Sequence, residues 1–182
     1  ATLGPIIHNT AVVDKLKAKG VVAINSIYEL PEGSVLAIRT HGVGKKVYDS
    51  IEDAGYEYTD LTCPYVKKIH KIVSRCYENG EKIVIIGDKN HPEVIGINGW
   101  CENTALISDN SEEISKISDD KICVVVQTTY SEQKFDNIIK NFTSDKEKTV
   151  DIFKTICYTT TKRQREAELI AKDTDAVIVI GG

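Results

Sequence analysis

Short apolar runs without polar alternation recur along this chain, at residues 35–38, 83–86, 122–126 and 176–180. They are rich in Val and Ile, and too short for helices of ordinary length. Runs of this kind suit strands buried on both faces, which is the situation of parallel sheets. Between them lie stretches with helical spacing, at 11–19, 45–54, 64–79, 131–142 and 162–172. The stretch 64–79 is the clearest, with Val66, Ile69, Ile72, Val73 and Cys76 on one face. Pro64 suits a first helical position, and Gly80 suits the residue after the last. Alternating strand and helix signals predict an α/β fold built from small parallel βα units. The polar stretch 103–120 reads as a surface loop with a short helix.

Composition narrows the function classes. The chain has 182 residues and a net charge of −4, so it lacks the basic footprint of a nucleic-acid binder. No apolar run approaches the roughly 20 residues that span a bilayer, so no membrane partner is expected. Five cysteines (Cys63, Cys76, Cys101, Cys123 and Cys157) form no CxxC pair, and their number is odd. A disulfide framework is therefore not expected, and a reducing, cytoplasmic setting fits. The sequence holds no methionine and opens on Ala1, which suggests that its true beginning is missing.

Polar residues gather where the apolar runs end. Ile6-Ile7 leads into His8-Asn9, and 35–38 leads into Thr40-His41-Gly42. The run 83–86 leads into Gly87 through Asn90, then His91-Pro92-Glu93. The run 122–126 leads into Gln127-Thr128-Thr129, and 176–180 into Gly181-Gly182. Ligands of parallel α/β folds bind at these strand ends, where helix N-termini offer free N–H groups to anions. His8, His41 and His91 at such positions suit a shared anion or metal site. A lone histidine there is more often structural. His70, in a run of lysines, reads as solvated. Glu93 reads either as a first-turn acid or as a proton donor. Thr128 reads first as a helix-entry residue. Cys63 and Cys157 each precede a helix, whose dipole favours a thiolate, but each is equally a small loop-filling residue. Cys76 and Cys123 read as core.

Taken in order, these motifs carry a resemblance. Gly4-Pro5-Ile6-Ile7-His8-Asn9, Thr40-His41-Gly42-Val43, Thr62-Cys63-Pro64, His91-Pro92-Glu93-Val94, Gln127-Thr128-Thr129 and Ile156-Cys157 with Thr160, Arg163 and Gln164 span the chain. Their order and spacing closely resemble the 4-hydroxy-3-methylbut-2-enyl diphosphate reductase family. The resemblance implies a three-lobed protein around a central cavity, each lobe a small parallel α/β unit. It implies a [4Fe–4S] cluster on three cysteines, two of them Cys63 and Cys157. It assigns diphosphate binding to His8, His41 and His91, substrate contact to Thr128 and proton relay to Glu93. The implied reaction converts an allylic diphosphate substrate to isopentenyl and dimethylallyl diphosphate, with a ferredoxin or flavodoxin as electron donor.

The third cluster cysteine and a Ser-x-Asn diphosphate loop of the family pattern would lie outside this sequence. The expectation is therefore an inactive fragment in three pieces: an incomplete first lobe at 1–62, a complete middle lobe at 63–155, and the start of a third at 156–182. Two other readings use the strand-end histidines differently. One is a metal-dependent hydrolase, the other a non-catalytic phosphometabolite-binding domain.

Overall fold

The computed structural model describes residues 1–142 and 149–180. Among the described residues, eight strands form two four-stranded sheets, every pairing parallel. The first sheet contains β1 (Thr2–Leu3), β2 (Ala23–Ile24), β3 (Leu36–Ile38) and β4 (Tyr58–Asp60), in the order β2-β1-β3-β4. The second contains β5 (Lys82–Ile86), β6 (Leu106–Ile107), β7 (Lys121–Val126) and β8 (Thr149–Phe153), in the order β6-β5-β7-β8. The two orders are the same pattern displaced by four strands, so one topology occurs twice. Helices α1 (Thr10–Lys17) and α2 (Lys45–Asp53) connect strands of the first sheet. Helices α4 (Pro92–Asn98), α5 (Ser111–Ser115) and α6 (Glu132–Phe142) do so in the second. Helix α3 (Pro64–Glu78) follows β4, and α7 (Tyr158–Lys172) follows β8. The expected α/β class with parallel sheets is what forms.

The continuous apolar strands have a direct explanation. Ile83 and Ile85 of β5 join Cys123 and Val125 of β7 in one core cluster, while Val84, Ile86, Ile122, Val124 and Val126 join another on the opposite face. Successive strand side chains point to opposite faces. With a core on each side, both sets must be apolar. Helix α3 covers one of these faces with Ile69, Ile72, Val73 and Cys76, and α6 covers the other with Phe135, Ile138 and Phe142. Removing the Ile69 side chain beyond Cβ would cost about 2–5 kcal/mol, the usual range for a sealed core site.

Several expectations need correction. The apolar run 176–180 forms no strand: Ile178, Val179 and Ile180 are exposed. A strand is defined by its ladder, and no described strand lies beside this run. Gly181 and Gly182 fall outside the described residues. Near the start, the ladder uses Thr2–Leu3 rather than Ile6-Ile7, because Gly4 turns with φ +74° and Pro5 has no N–H to donate. The polar stretch 103–120 contains α5 as expected, and also the two-residue edge strand β6.

His70 is buried rather than solvated, at 3% exposure. Helical period places it beside Val66, Ile69 and Val73, all buried residues of α3. Its ring stacks on Trp100 with centroids 5.0 Å apart and planes at 21°. Burial pushes its pKa down to about 4.

The same neighbourhood joins the two sheets' surroundings. Trp100 Nε1–H donates to the Val43 carbonyl at 3.0 Å, and Tyr48 lies 5.7 Å from the Trp100 ring. Gly44 and Gly99 meet backbone to backbone: a Cβ on Gly99 would stand 2.5 Å from the Gly44 Cα. Among the described residues, no helix is long and apolar enough to cross a membrane.

Candidate functional site

The site is assembled from the carboxyl ends of strands in both sheets. After β1 the chain passes His8 to Asn9, whose Oδ1 caps α1 by accepting from Val12 N–H at 3.0 Å. After β3 it turns through Arg39–Gly42, closed by the Gly42 N–H donating to the Arg39 carbonyl at 3.0 Å. Gly42 has φ +71°, and a Cβ there would stand 2.6 Å from the His70 ring, so this corner has room only for glycine. Thr40 ties the turn to the preceding segment, its Oγ1–H donating to the Ile6 carbonyl at 2.9 Å. After β5, His91 caps α4: its Nδ1 accepts from Glu93 N–H at 3.1 Å, which leaves Nε2 to carry the proton of the neutral ring.

These turns bring three imidazoles together. Ring centroids are 4.4 Å apart for His8 and His41, 5.2 Å for His8 and His91, and 5.5 Å for His41 and His91. Burial, with the neighbouring His8, His91 and Arg39, pushes His41 down to about 4. Burial also lowers His91, against the pull of Glu93 and Asp88. One buried polar atom of the cluster, His41 Nδ1, lacks a protein partner, while the orphaned Arg39 Nε belongs to a side chain packed against Gly4. Buried donors and acceptors are nearly always paired, so the orphaned His41 nitrogen marks a place for a polar ligand. Arg39 was passed over in the sequence, although it directly precedes Thr40-His41 at a strand end.

Glu93 and Thr128 form the second part. Glu93 is buried, and both carboxylate oxygens are gripped by one residue: Thr128 N–H donates to Oε1 at 2.7 Å, and Thr128 Oγ1–H donates to Oε2 at 2.6 Å. Neighbouring β5 and β7 explain the contact, since Glu93 opens the helix after β5 and Thr128 follows β7. Gln127 braces the corner, accepting the Asp88 N–H at 3.1 Å. Gly87 must lack a side chain there, because a Cβ would stand 2.9 Å from Gln127.

The two half-buried cysteines occupy matching places. Cys63 follows β4 and precedes α3, and its N–H donates to the Thr40 carbonyl at 2.9 Å. Cys157 follows β8 and precedes α7, and its N–H donates to the Thr128 carbonyl at 2.9 Å. Each thiol thus sits at a helix N-terminus, tied to the strand-end corner that carries His41 or Thr128. Cys157 Sγ also accepts the Thr160 N–H at 3.3 Å and lies 3.0 Å from the Thr160 hydroxyl. The other thiols lie elsewhere. Cys76, Glu81 and Cys123 present ligand atoms within 4.8 Å of one another, but burial pushes both thiols up, so they stay protonated among apolar neighbours. Cys101 is buried and donates to the Asn98 carbonyl.

With this geometry in place, the likeness to known proteins becomes specific. The family model described as LytB protein matches residues 1–182. The chain belongs to the LytB family. It is 47% identical to the 4-hydroxy-3-methylbut-2-enyl diphosphate reductase of Caldanaerobacter subterraneus subsp. tengcongensis, across 100% of this chain and 64% of that protein. It is 43% identical to the protein of the same name from Clostridioides difficile, across 99% of this chain and 65% of that one. The chain therefore spans just under two thirds of these relatives' length. Among solved structures, it resembles the Plasmodium falciparum E-1-hydroxy-2-methyl-but-2-enyl-4-diphosphate reductase with a TM-score of 0.87 at 28% identity, over 94% of this chain and 55% of that one. A second, the structure of (E)-4-hydroxy-3-methyl-but-2-enyl diphosphate reductase, the terminal enzyme of the non-mevalonate pathway, gives a TM-score of 0.78 at 35% identity, over 100% of this chain and 65% of that one.

An iron–sulfur cluster fits the donors that this LytB-family chain presents at the site. Cys63 and Cys157 are thiols of matching placement, each half-buried at the N-terminus of a helix. Two such donors would hold part of a cluster.

Proposed function

We propose that the protein to which this chain belongs reduces 4-hydroxy-3-methylbut-2-enyl diphosphate, removing its hydroxyl as water and giving isopentenyl and dimethylallyl diphosphate. The observation that carries this reading is the chain of contacts from the buried Glu93 carboxylate to Thr128 to the Cys157 backbone, beside three clustered imidazoles. It joins a proton carrier, a hydroxyl, a thiol and an anion-binding group at one place.

Each part has a task in that reaction. His8, His41 and His91 hold the diphosphate through their ring N–H groups, which donate to its oxygens. His41 finds in the anion the partner that its buried Nδ1 lacks. Glu93 carries a proton that the Thr128 hydroxyl passes toward the departing substrate oxygen. A [4Fe–4S] cluster, held by Cys63, Cys157 and a third cysteine, supplies electrons and a Lewis-acid iron when bound. The reaction consumes two electrons and two protons and releases one water. We assign the electrons to a ferredoxin or flavodoxin and the compartment to the cytoplasm. We also propose the division of the chain at 62/63 and 155/156 into an incomplete lobe, a complete lobe and the start of a third.

The histidines alone would also suit a divalent cation, since their ligand atoms lie within 4.8 Å of one another. A metallohydrolase would turn its carboxylate toward that ion. Here both Glu93 oxygens are turned to Thr128, which favours proton relay.

The test is anaerobic reconstitution of the complete protein with iron and sulfide, followed by visible and paramagnetic resonance spectra and substrate turnover. Loss of the cluster in Cys63→Ala and in Cys157→Ala, with retention in Cys76→Ala, supports the assignment. Zinc without sulfide, or a cluster surviving both site substitutions, overturns it.

A further inference from the structure

Reduction of the substrate needs electrons from outside, and the surface around the two site cysteines indicates where they enter. We propose that the exposed face joining the starts of α3 and α7 is the docking surface for an acidic, single-electron carrier protein. This inference rests on the reductase reading above.

A cleft of about 350 Å³ opens between these helices, lined by Tyr65, Lys68, Lys154, Thr155, Tyr158 and Thr161 among others. Tyr65 is two residues beyond Cys63, and Tyr158 directly follows Cys157. One surface depression therefore borders the segments that carry both thiols. Electron transfer weakens steeply with distance, and a carrier seated here would stand beside both thiol-bearing segments. Tyr65 and Tyr158 are large aromatics left 47% and 68% exposed. Aromatic rings with polar tips are common anchors of protein contacts.

Charge names the partner. Lys68, Lys71 and Arg75 stand at i, i+3 and i+7 on α3 and so share one exposed face. Among the described residues, none of the three forms an ion pair. The Arg75 guanidinium lies 5.9 Å from the centroid of the Phe153 ring, which sets this stripe beside the end of β8, and Lys154 is the next residue. The nearby carboxylates of Glu132 and Asp136 are both engaged by Lys154, at 3.0 and 2.8 Å. A basic stripe with an aromatic rim on a chain of net charge −4 is a local departure from its overall sign. Such a patch steers an acidic partner and suits a small, transient interface. The stoichiometry asks for transience as well. Each encounter oxidises one carrier by one electron, two encounters complete a turnover, and the spent carrier must leave between them.

The test uses the complete, cluster-loaded protein with Lys68→Glu/Lys71→Glu, and Lys68→Arg/Lys71→Arg as its control. Substrate reduction is measured with an acidic [2Fe–2S] ferredoxin as donor, and separately with reduced methyl viologen, which needs no protein interface. Iron content and the visible spectrum report the cluster. The charge reversal is expected to lower kcat/KM for the ferredoxin by about tenfold or more and to flatten its dependence on salt. Viologen-driven turnover and the cluster should stay unchanged, and the arginine variant should behave as wild type. Equal ferredoxin rates in the two variants would overturn the docking surface. So would equal losses with both donors. No turnover by wild type with either donor would instead refute the reductase reading.

Discussion

At the scale of single residues, the Glu93–Thr128 pair makes the sharpest demand. If they act as one relay, Glu93→Gln in the complete protein should lower turnover by about 100-fold or more, and Thr128→Val by a smaller factor. The double variant should be no slower than Glu93→Gln alone. Multiplying losses would show two independent roles. Cluster content, read by absorbance, should not change in any of the three. His70 makes a different demand. Its pKa is near 4 when folded and 6.5 in the unfolded reference, so the unfolded chain binds more protons between those values. The stability contributed by its neutral form is present above about pH 6.5 and is lost as pH falls toward 4. His41 acts in the same direction. Thermal unfolding of wild type and His70→Gln across this window should show a shallower acid decline in the variant. Helical period was the local sign of His70's burial, four residues after Val66 and three before Val73, and the flanking Lys67, Lys68 and Lys71 obscured it. Only the surface against which α3 packs decides it.

Among elements, the corner 42–44 and the helix α4 with its following turn 99–101 depend on the absence of side chains. Gly99→Ala would place a methyl 2.5 Å from the Gly44 Cα, and backbone cannot yield as a flexible side chain does. A loss of about 1–3 kcal/mol is expected, measured by chemical denaturation, and an unchanged midpoint would refute the close approach. Strands β5 and β7 were legible because both faces are buried and the apolar run is unbroken. Strands β1, β2 and β6 were not, because two residues show no period. The run 176–180 has the composition of a strand and still forms none, since pairing is supplied by a neighbour and not by the run itself.

Across the whole molecule, the two sheets of one strand order share no strand among the described residues, and the glycine contact, Trp100 and the clustered histidines join their surroundings. Trp100→Ala removes the donor to the Val43 carbonyl and the ring beneath His70. It should cost about 3–5 kcal/mol. It should also split a single denaturation transition into two, monitored by circular dichroism and by tyrosine fluorescence. One sharp transition in the variant would show that the two halves are coupled elsewhere.

The sequence by itself determined the α/β class, the principal helices, and the rule that polar residues cluster where strands end. Those features follow from local periodicity, caps and breakers, which act over a few residues. Order and spacing of the motifs pointed to the family. The tertiary structure decided which strand-end residues meet: His8 and His41 from one sheet with His91 from the other, and Glu93 with Thr128 across 35 positions. It also decided that His41 keeps an unpaired nitrogen at that meeting point. These are relations between distant segments, set by sheet order and by the packing of one half on the other, and no window of sequence contains both partners.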